Sequence, residues 1–502
     1  MSRLLAGEYG LAVTYWALYF IGAATFFIFG SQAVDTEAWV PYLVMVAGML
    51  AYTFVLIIGI RDDPAFPACI ENKIDDRSLE FSYHNDIEIV PTLIRTQPDS
   101  TESTGAERVV GWNREEWEKF TGIESLGSNI DPFKPGCGSL TLEPGMPEIL
   151  AARFKADTLK SRRVDLADAE DIMEACYERG WSDGLPVVPP TPVRVMRMLA
   201  GTDRSPAEII GKVPPDYVEC SVEKVAINAV MAGCKPEYLP TVLAVVEAAL
   251  QDAFCMHGLL CTTYFSSPVV IVNGPVTRHI DMNSGINALG QGNRANATIG
   301  RALQLIVRNV GGGKPGGIDR ATLGNPGKYT FCFSEDESDP QWPSLAMDRG
   351  YQRGDSVVSL FAGDGVQPVL DQLSRTPESL ARSFAASLRS VSHVKKFGMA
   401  DAILVVCPEH RRVLKEGGWT KEKLKQALFD ELMTPGTELM PGVDGIAEGM
   451  PEKFKDKLLN KFRDDGLHIV TAGGTAGMFS AIISGWVASG DKGSQMVSQV
   501  VK

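Results

Sequence analysis

Two uncharged apolar runs, Leu11–Gly30 and Trp39–Ile60, precede the rest of a 502-residue chain in which apolar and polar positions alternate at ordinary globular spacing. Each run meets the roughly 20-residue length that a helix needs to cross a bilayer core. Neither carries a charged side chain, which is costly at that depth, and neither shows the polar stripe of a buried core helix. The pattern predicts a transmembrane hairpin over residues 1–62, with membrane lipid as its partner through residues 11–60. Arg3 and Arg61 flank the pair, while the connection Ser31–Ala38 holds Asp35 and Glu37 and no base. An excess of basic residues marks the cytoplasmic side, so the bulk of the chain is expected in the cytoplasm.

Residues 63–164 show little periodicity and include TQPDSTESTGAE at 96–107, so they read as a linker with patchy order. IEIVPTLI at 87–94 has the composition of a strand or two. From Leu166 the texture changes. Helical spacing is expected over 168–179, an extended Pro/Gly-rich loop over 180–192, helices from Val222 to Met231 and from Pro236 to about Leu250, and a helix whose apolar face runs from Ala295 to Val310. PVVIVNGP (268–275), SVVSLFAG (356–363), DAILVVC (401–407) and LHIVTAGG (467–474) read as interior strands, the last two each followed by a helical pattern, including MFSAIISGW at 478–486. Alternating strands and helices predict an α/β fold with a largely parallel sheet. One α/β domain is expected over 165–345 and a second domain or half over 346–502.

A net charge of −14 argues against a nucleic-acid partner, because phosphate neutralisation needs a basic surface. The nine cysteines form no CxxC pair, which suits free thiols in a reducing compartment. The six histidines show no HxxxH spacing, so no metal site is expected, and nothing in the sequence identifies a cofactor.

Candidate chemistry collects in four places. In NSGINALGQGNRANATIGRA (283–302), Asn293, Arg294 and Arg301 crowd a helix start, where free N–H groups attract anions; the competing reading is a well-capped helix whose arginines pair with acids. In TAGGTAG (471–477), Gly473, Gly474 and Gly477 sit between a strand and a predicted helix, as a second anion cradle or as tight packing. The glycine-rich stretch 311–328 allows close backbone approach to a ligand, or is a plain connection. Cys407 precedes Pro408-Glu409-His410 at a predicted helix start, where a thiolate is stabilised and an imidazole can take its proton. Cys234 has a similar setting before Pro236, and His257 is a further candidate proton carrier among apolar neighbours. Against both cysteines stands the tendency of free thiols to be buried hydrophobes.

The segments GWSDGLPVVPPT (180–191), AINAVMAGCKPEYLP (226–240), NALGQGNRANATIGRA (287–302), NPGKYTFCFSEDE (325–337) and TAGGTAGMFSAIISGW (471–486) are similar to a sparsely characterised bacterial family, that of UGSC-type (seleno)proteins or their companions, over about residues 165–500. The resemblance implies a thiol or selenol link and no particular reaction. The chain has no Cys-Gly-Ser-Cys string, and Pro-Gly-Cys-Gly-Ser at 135–139 lies outside the resembling region. Together these features predict a membrane-anchored enzyme acting on a small anionic molecule by thiol chemistry, whether hydrolase, lyase or oxidoreductase. The alternative is a non-catalytic anchoring or scaffold subunit with partners in a membrane complex.

Overall fold

The computed structural model describes residues 159–167, 170–486 and 493–502, together with separate stretches between residues 42 and 154. The chain divides into two compact units, Met1–Asp157 and Thr158–Lys502.

In the first unit, Tyr42–Met45 and Phe54–Ile57 pair antiparallel within a five-stranded sheet that also contains Asn72–Lys73, Thr92–Thr96 and Glu107–Val110. Those eight residues of the second apolar run are therefore extended, in keeping with the strand preference of Val, Ile, Tyr and Phe. The rest of the hairpin expected over 11–60 lies outside the described residues, as does most of the 96–107 segment. Among the described residues no single helix is long and apolar enough to cross a membrane. The stretch expected to be a linker holds a helix, Arg114–Thr121, whose Trp117 packs edge-on against Trp112 at 5.1 Å and donates its indole N–H to the Gly111 carbonyl at 2.8 Å.

The second unit is built on a seven-stranded sheet: β1 (Ser267–Asn273), β2 (Cys332–Ser334), β3 (Val357–Leu370), β4 (Ala400–Val406), β5 (Phe462–Thr471), β6 (Phe479–Gly485) and β7 (Val497–Val500). The order is β2-β1-β3-β6-β4-β5, with β7 also on β3. The α/β class is as expected, but the sheet is mixed, not largely parallel. Only β1–β2 and β4–β5 run parallel, and the other four pairings are antiparallel. Part of the difference comes from 478–486, which is the strand β6 and not a helix; β3 also runs antiparallel to β1 and β7 without it. Strand β6 inserts between β3 and β4 and reverses direction against both. Residues 165–345 and 346–502 contribute strands to this one sheet.

Strand alternation sends side chains to opposite faces, and the two faces have different partners. Val269, Ile271, Phe333, Phe361, Ile403, Val405, Val470 and Ile483 come from six strands yet form one cluster, so the sheet curls around its own inner face. The outer face is covered in two halves. Val270, Val272, Val358 and Leu360 pack under α3 (Val222–Ala232), α4 (Leu239–Ala249) and α6 (Arg294–Asn309). Ala402, Leu404, Ile469 and Ile482 pack under α7 (Pro377–Leu388), α8 (Pro408–Glu416) and α9 (Lys421–Glu431). Three shorter or more peripheral helices complete the numbering: α1 (Ile172–Glu178), α2 (Pro192–Leu199) and α5 (Met256–Cys261). Each fully buried Val, Ile, Leu or Phe stabilises by roughly 1.5–3 kcal/mol.

The helix boundaries follow their caps. Asn293 accepts the Asn296 N–H at 2.9 Å to open α6, and Gly233 closes α3 at a φ of 93° that favours glycine.

Lys461 is an exception to apolar burial. It is fully buried, donates to the carbonyls of His393 and Lys396, and lies 4.9 Å over the Phe397 ring. Burial pushes its amine down to about 7. Between that value and the ordinary lysine value near 10.4 the unfolded chain binds more protons than the folded one, so stability rises with pH across this window. Denaturant midpoints at pH 7 and 9.5 are expected to show that rise in the wild type, and Lys461→Met is expected to flatten it.

Candidate functional site

The carboxyl ends of the parallel pair β4 and β5 bring together several polar side chains with altered chemistry. Strand β4 ends at Val406, and Cys407 caps α8 in an extended conformation, φ −70° and ψ 157°. Pro408 occupies the first helical position, where its missing N–H costs nothing. One turn on, His410 points back into the protein and is wholly buried.

The imidazole is held at both nitrogens. Nε2 lies 2.8 Å from the Asp371 carbonyl, and Nδ1 lies 2.7 Å from Ser480 Oγ. A carbonyl only accepts, so Nε2 carries the hydrogen, and in the neutral ring Nδ1 is the acceptor. Ser480 Oγ accepts the Cys407 N–H at 3.1 Å, which leaves its own hydrogen for Nδ1. Burial by itself raises the Cys407 thiol, but hydrogen bonding to the His410 imidazole and backbone outweighs it and brings the thiol below its ordinary value. For His410, burial works against the charged ring, while hydrogen bonds with Cys407 and the Asp371 carbonyl outweigh it and raise the imidazole above its ordinary value. Both shifts favour proton transfer from sulfur to nitrogen.

The β5–β6 connection, residues 472–478, crosses the end of β4 directly above this pair. A Cβ placed on Gly473 would stand 4.0 Å from Cys407 Cβ and 3.9 Å from Pro408 Cδ, and its φ of +118° suits glycine alone. The loop is tied down by Gly473 N–H to the Ser284 carbonyl at 2.8 Å and by Met478 N–H to Glu409 Oε2 at 2.7 Å. Among the described residues, the N–H groups of Gly474, Thr475, Ala476 and Gly477 take part in no hydrogen bond within the protein. Successive free amides of this kind can face an anion.

Glu335 and Arg411 frame the same end of the sheet. The Glu335 carboxylate is buried and accepts from Asn273 Nδ2 at 2.8 Å, Leu345 N–H at 2.7 Å and Thr471 N–H at 3.3 Å, joining β1 to β5. Burial raises its pKa despite the nearby Lys421. Arg411 Nη2 pairs with Asp336 Oδ2 at 2.8 Å.

Cys407, His410 and Gly473, all expected from sequence, therefore lie together, while Gly474 packs on Ile286 and Gly477 on Phe479 further along the same loop. The remaining candidates lie elsewhere, and their environments argue against the roles expected of them. Cys234 is buried at the end of α3 and bonded to the Thr298 carbonyl at 3.4 Å; burial pushes its thiol up to about 12, so it is a protonated packing residue. His257 is exposed and stacks on Tyr217 at 5.8 Å. Asn293 spends its side chain on the helix cap and on the Asp281 carbonyl. Arg294 Nε donates to the Gly233 carbonyl at 2.8 Å. Arg301 forms a two-pronged pair with Asp183, both contacts at 2.8 Å, and bonds the carbonyls of Leu185 and Pro186. Arg301 thus clamps the 180–192 loop onto α6, while Arg294 ties the start of α6 to the end of α3.

Ser480 and the Asp371 carbonyl were not legible as site groups, one because it sat in a supposed helix and the other because a backbone carbonyl has no signature in sequence. No group of His, Cys, Asp and Glu among the described residues is arranged to hold a metal ion. No family model, curated protein or solved structure matches the chain.

Proposed function

We propose that the protein is a thiol-dependent enzyme acting on a small anionic substrate, with Cys407 as nucleophile and His410 as its proton carrier. The observation that carries this reading is the Cys407–His410 pair, in which the thiol is lowered, the imidazole is raised, and the ring is oriented by the Asp371 carbonyl. Once the Ser480 hydroxyl hydrogen turns away from it, His410 Nδ1 takes the thiol proton and can return it to a leaving group, while Nε2–H stays on the Asp371 carbonyl. The free amides of residues 474–477 supply donors for negative charge on the substrate. Attachment to a membrane within residues 11–60 belongs to the same proposal and rests on the length and lack of charge of the run at 11–30, since Tyr42–Met45 and Phe54–Ile57 of the second run are paired strands.

One observation favours a second reading, a non-catalytic anchoring subunit. Cys407 is only 4% exposed, so the pair could serve packing alone unless the 472–478 loop opens. Site-resolved mass spectrometry after brief iodoacetamide treatment at pH 6.5 separates the two. The enzyme reading expects Cys407 to be modified ahead of the exposed Cys261. Faster modification of Cys261, with Cys407 untouched until the protein unfolds, supports the scaffold.

A further inference from the structure

The glycine-rich segment 311–328 takes no part in the thiol centre, yet it walls a cleft of about 460 Å³, within the size range of small-molecule sites. Its floor is apolar: Met256, Leu259 and Leu260 from α5, Pro268 at the start of β1, and Val307 from α6. The wall is a built structure. A Cβ on Gly313 would lie 2.9 Å from Val307 Cγ1 and 3.4 Å from Leu260 Cδ1, so the bare backbone is what lets this segment approach the floor. Asn325 fixes the far side, its Oδ1 accepting the Gly327 N–H at 2.7 Å and its amide donating to the Phe265 carbonyl. Leu323, 83% exposed, and Tyr329 stand at the mouth.

The four charged residues that line the cleft, Asp183, Asp319, Arg308 and Lys328, balance in number but not in pairing, because Arg301 from outside the lining takes Asp183. Asp183 is taken by Arg301, and Asp319 by Lys328 at 2.9 Å. Arg308, on α6, has no carboxylate partner among the described residues; its Nε reaches only the Gly180 carbonyl at 3.3 Å. Each acid is answered by a base, and one guanidinium is left over beside an apolar floor. A planar guanidinium in such a place is suited to a carboxylate, which it can bind through two parallel hydrogen bonds.

We propose that this cleft binds a small monocarboxylate with an apolar body, its carboxylate on Arg308 and its body over Leu259, Leu260 and Val307. A neutral analogue of the same shape keeps the apolar contacts and loses the ion pair.

The site stands independently of the thiol centre, and the test keeps them apart. Calorimetric titration of the full-length protein with bromobenzoate and with bromobenzamide is expected to show the carboxylate bound at least about tenfold more tightly, the factor that corresponds to one charge-assisted hydrogen bond. Arg308→Gln is expected to erase that preference while leaving the alkylation rate of Cys407 unchanged. Wild-type crystals soaked in bromobenzoate give a readout that needs no variant: the bromine anomalous peak is expected over Leu259 and Leu260. Equal affinity for acid and amide, an undiminished preference in Arg308→Gln, or a bromine peak outside the cleft overturns the proposal.

Discussion

Arg301→Ala is expected to destabilise the full-length protein by about 3 kcal/mol, the lower end of the range for removing one partner of a buried ion pair. Arg301 and Asp183 have side-chain exposures of only 13% and 10%, and the guanidinium also satisfies the carbonyls of Leu185 and Pro186. Removing the arginine leaves the Asp183 carboxylate, itself only 10% exposed, with the Leu185 N–H as its remaining partner and releases the two loop carbonyls. Asp183→Ala is expected to cost less, because the guanidinium keeps those two carbonyls. The double variant should lose clearly less than the sum of the singles, since the two side chains share one interaction. Arg301→Lys should recover only part of the loss, an ammonium being unable to reproduce the two-pronged geometry. Urea midpoints of the four variants check all of this, and an Arg301→Ala protein as stable as wild type would show that the 180–192 loop is held by other contacts.

His410→Gln is expected to slow the alkylation of Cys407 at pH 6.5 by at least about tenfold and to move the midpoint of its pH–rate profile upward. Glutamine can still bond the Asp371 carbonyl and Ser480 but cannot take a proton. Burial then acts on the thiol alone, and burial raises it. In the wild type the thiolate persists as pH falls below the ordinary thiol value near 8.5; in the variant it should vanish there. Cys407 becomes reachable only when the 472–478 loop moves, but that opening enters both rates alike, so their ratio reports ionisation. A ratio near one would mean that His410 only fills space.

Much of the second unit could be read from the chain. The apolar periods of Val222–Met231 and Ala295–Val310 became α3 and α6, and the runs at 268–275, 356–363, 401–407 and 467–474 became parts of β1, β3, β4 and β5. The error at 478–486 changed the topology. Seven residues, Phe479–Gly485, with adjacent Ile482 and Ile483 are short for a helix and suit a strand. The glycines ahead of them resemble the turn into a helix, and a helix there removes the antiparallel β3–β6 and β6–β4 pairings; the antiparallel β1–β3 pairing has no signature in the strand composition. Cys407 and His410 were visible because their partnership is local, three residues apart at a helix start. The Arg301–Asp183 pair spans 118 positions, so periodicity can show the arginines on one face but not that Arg301 already has a carboxylate partner. Arg308, on the same helix, has no carboxylate partner among the described residues.

The central claim is that Cys407 gives up its proton more readily than an ordinary thiol because His410 receives it. The most direct measurement is an ultraviolet titration of thiolate absorbance on folded wild type and on Cys407→Ser, the difference isolating one sulfur. The account predicts a step of one thiolate in the difference curve, centred below pH 8.5 and lost when His410→Gln is measured in the same way. A difference curve that stays flat until the alkaline range, at or above the ordinary thiol value, would contradict it.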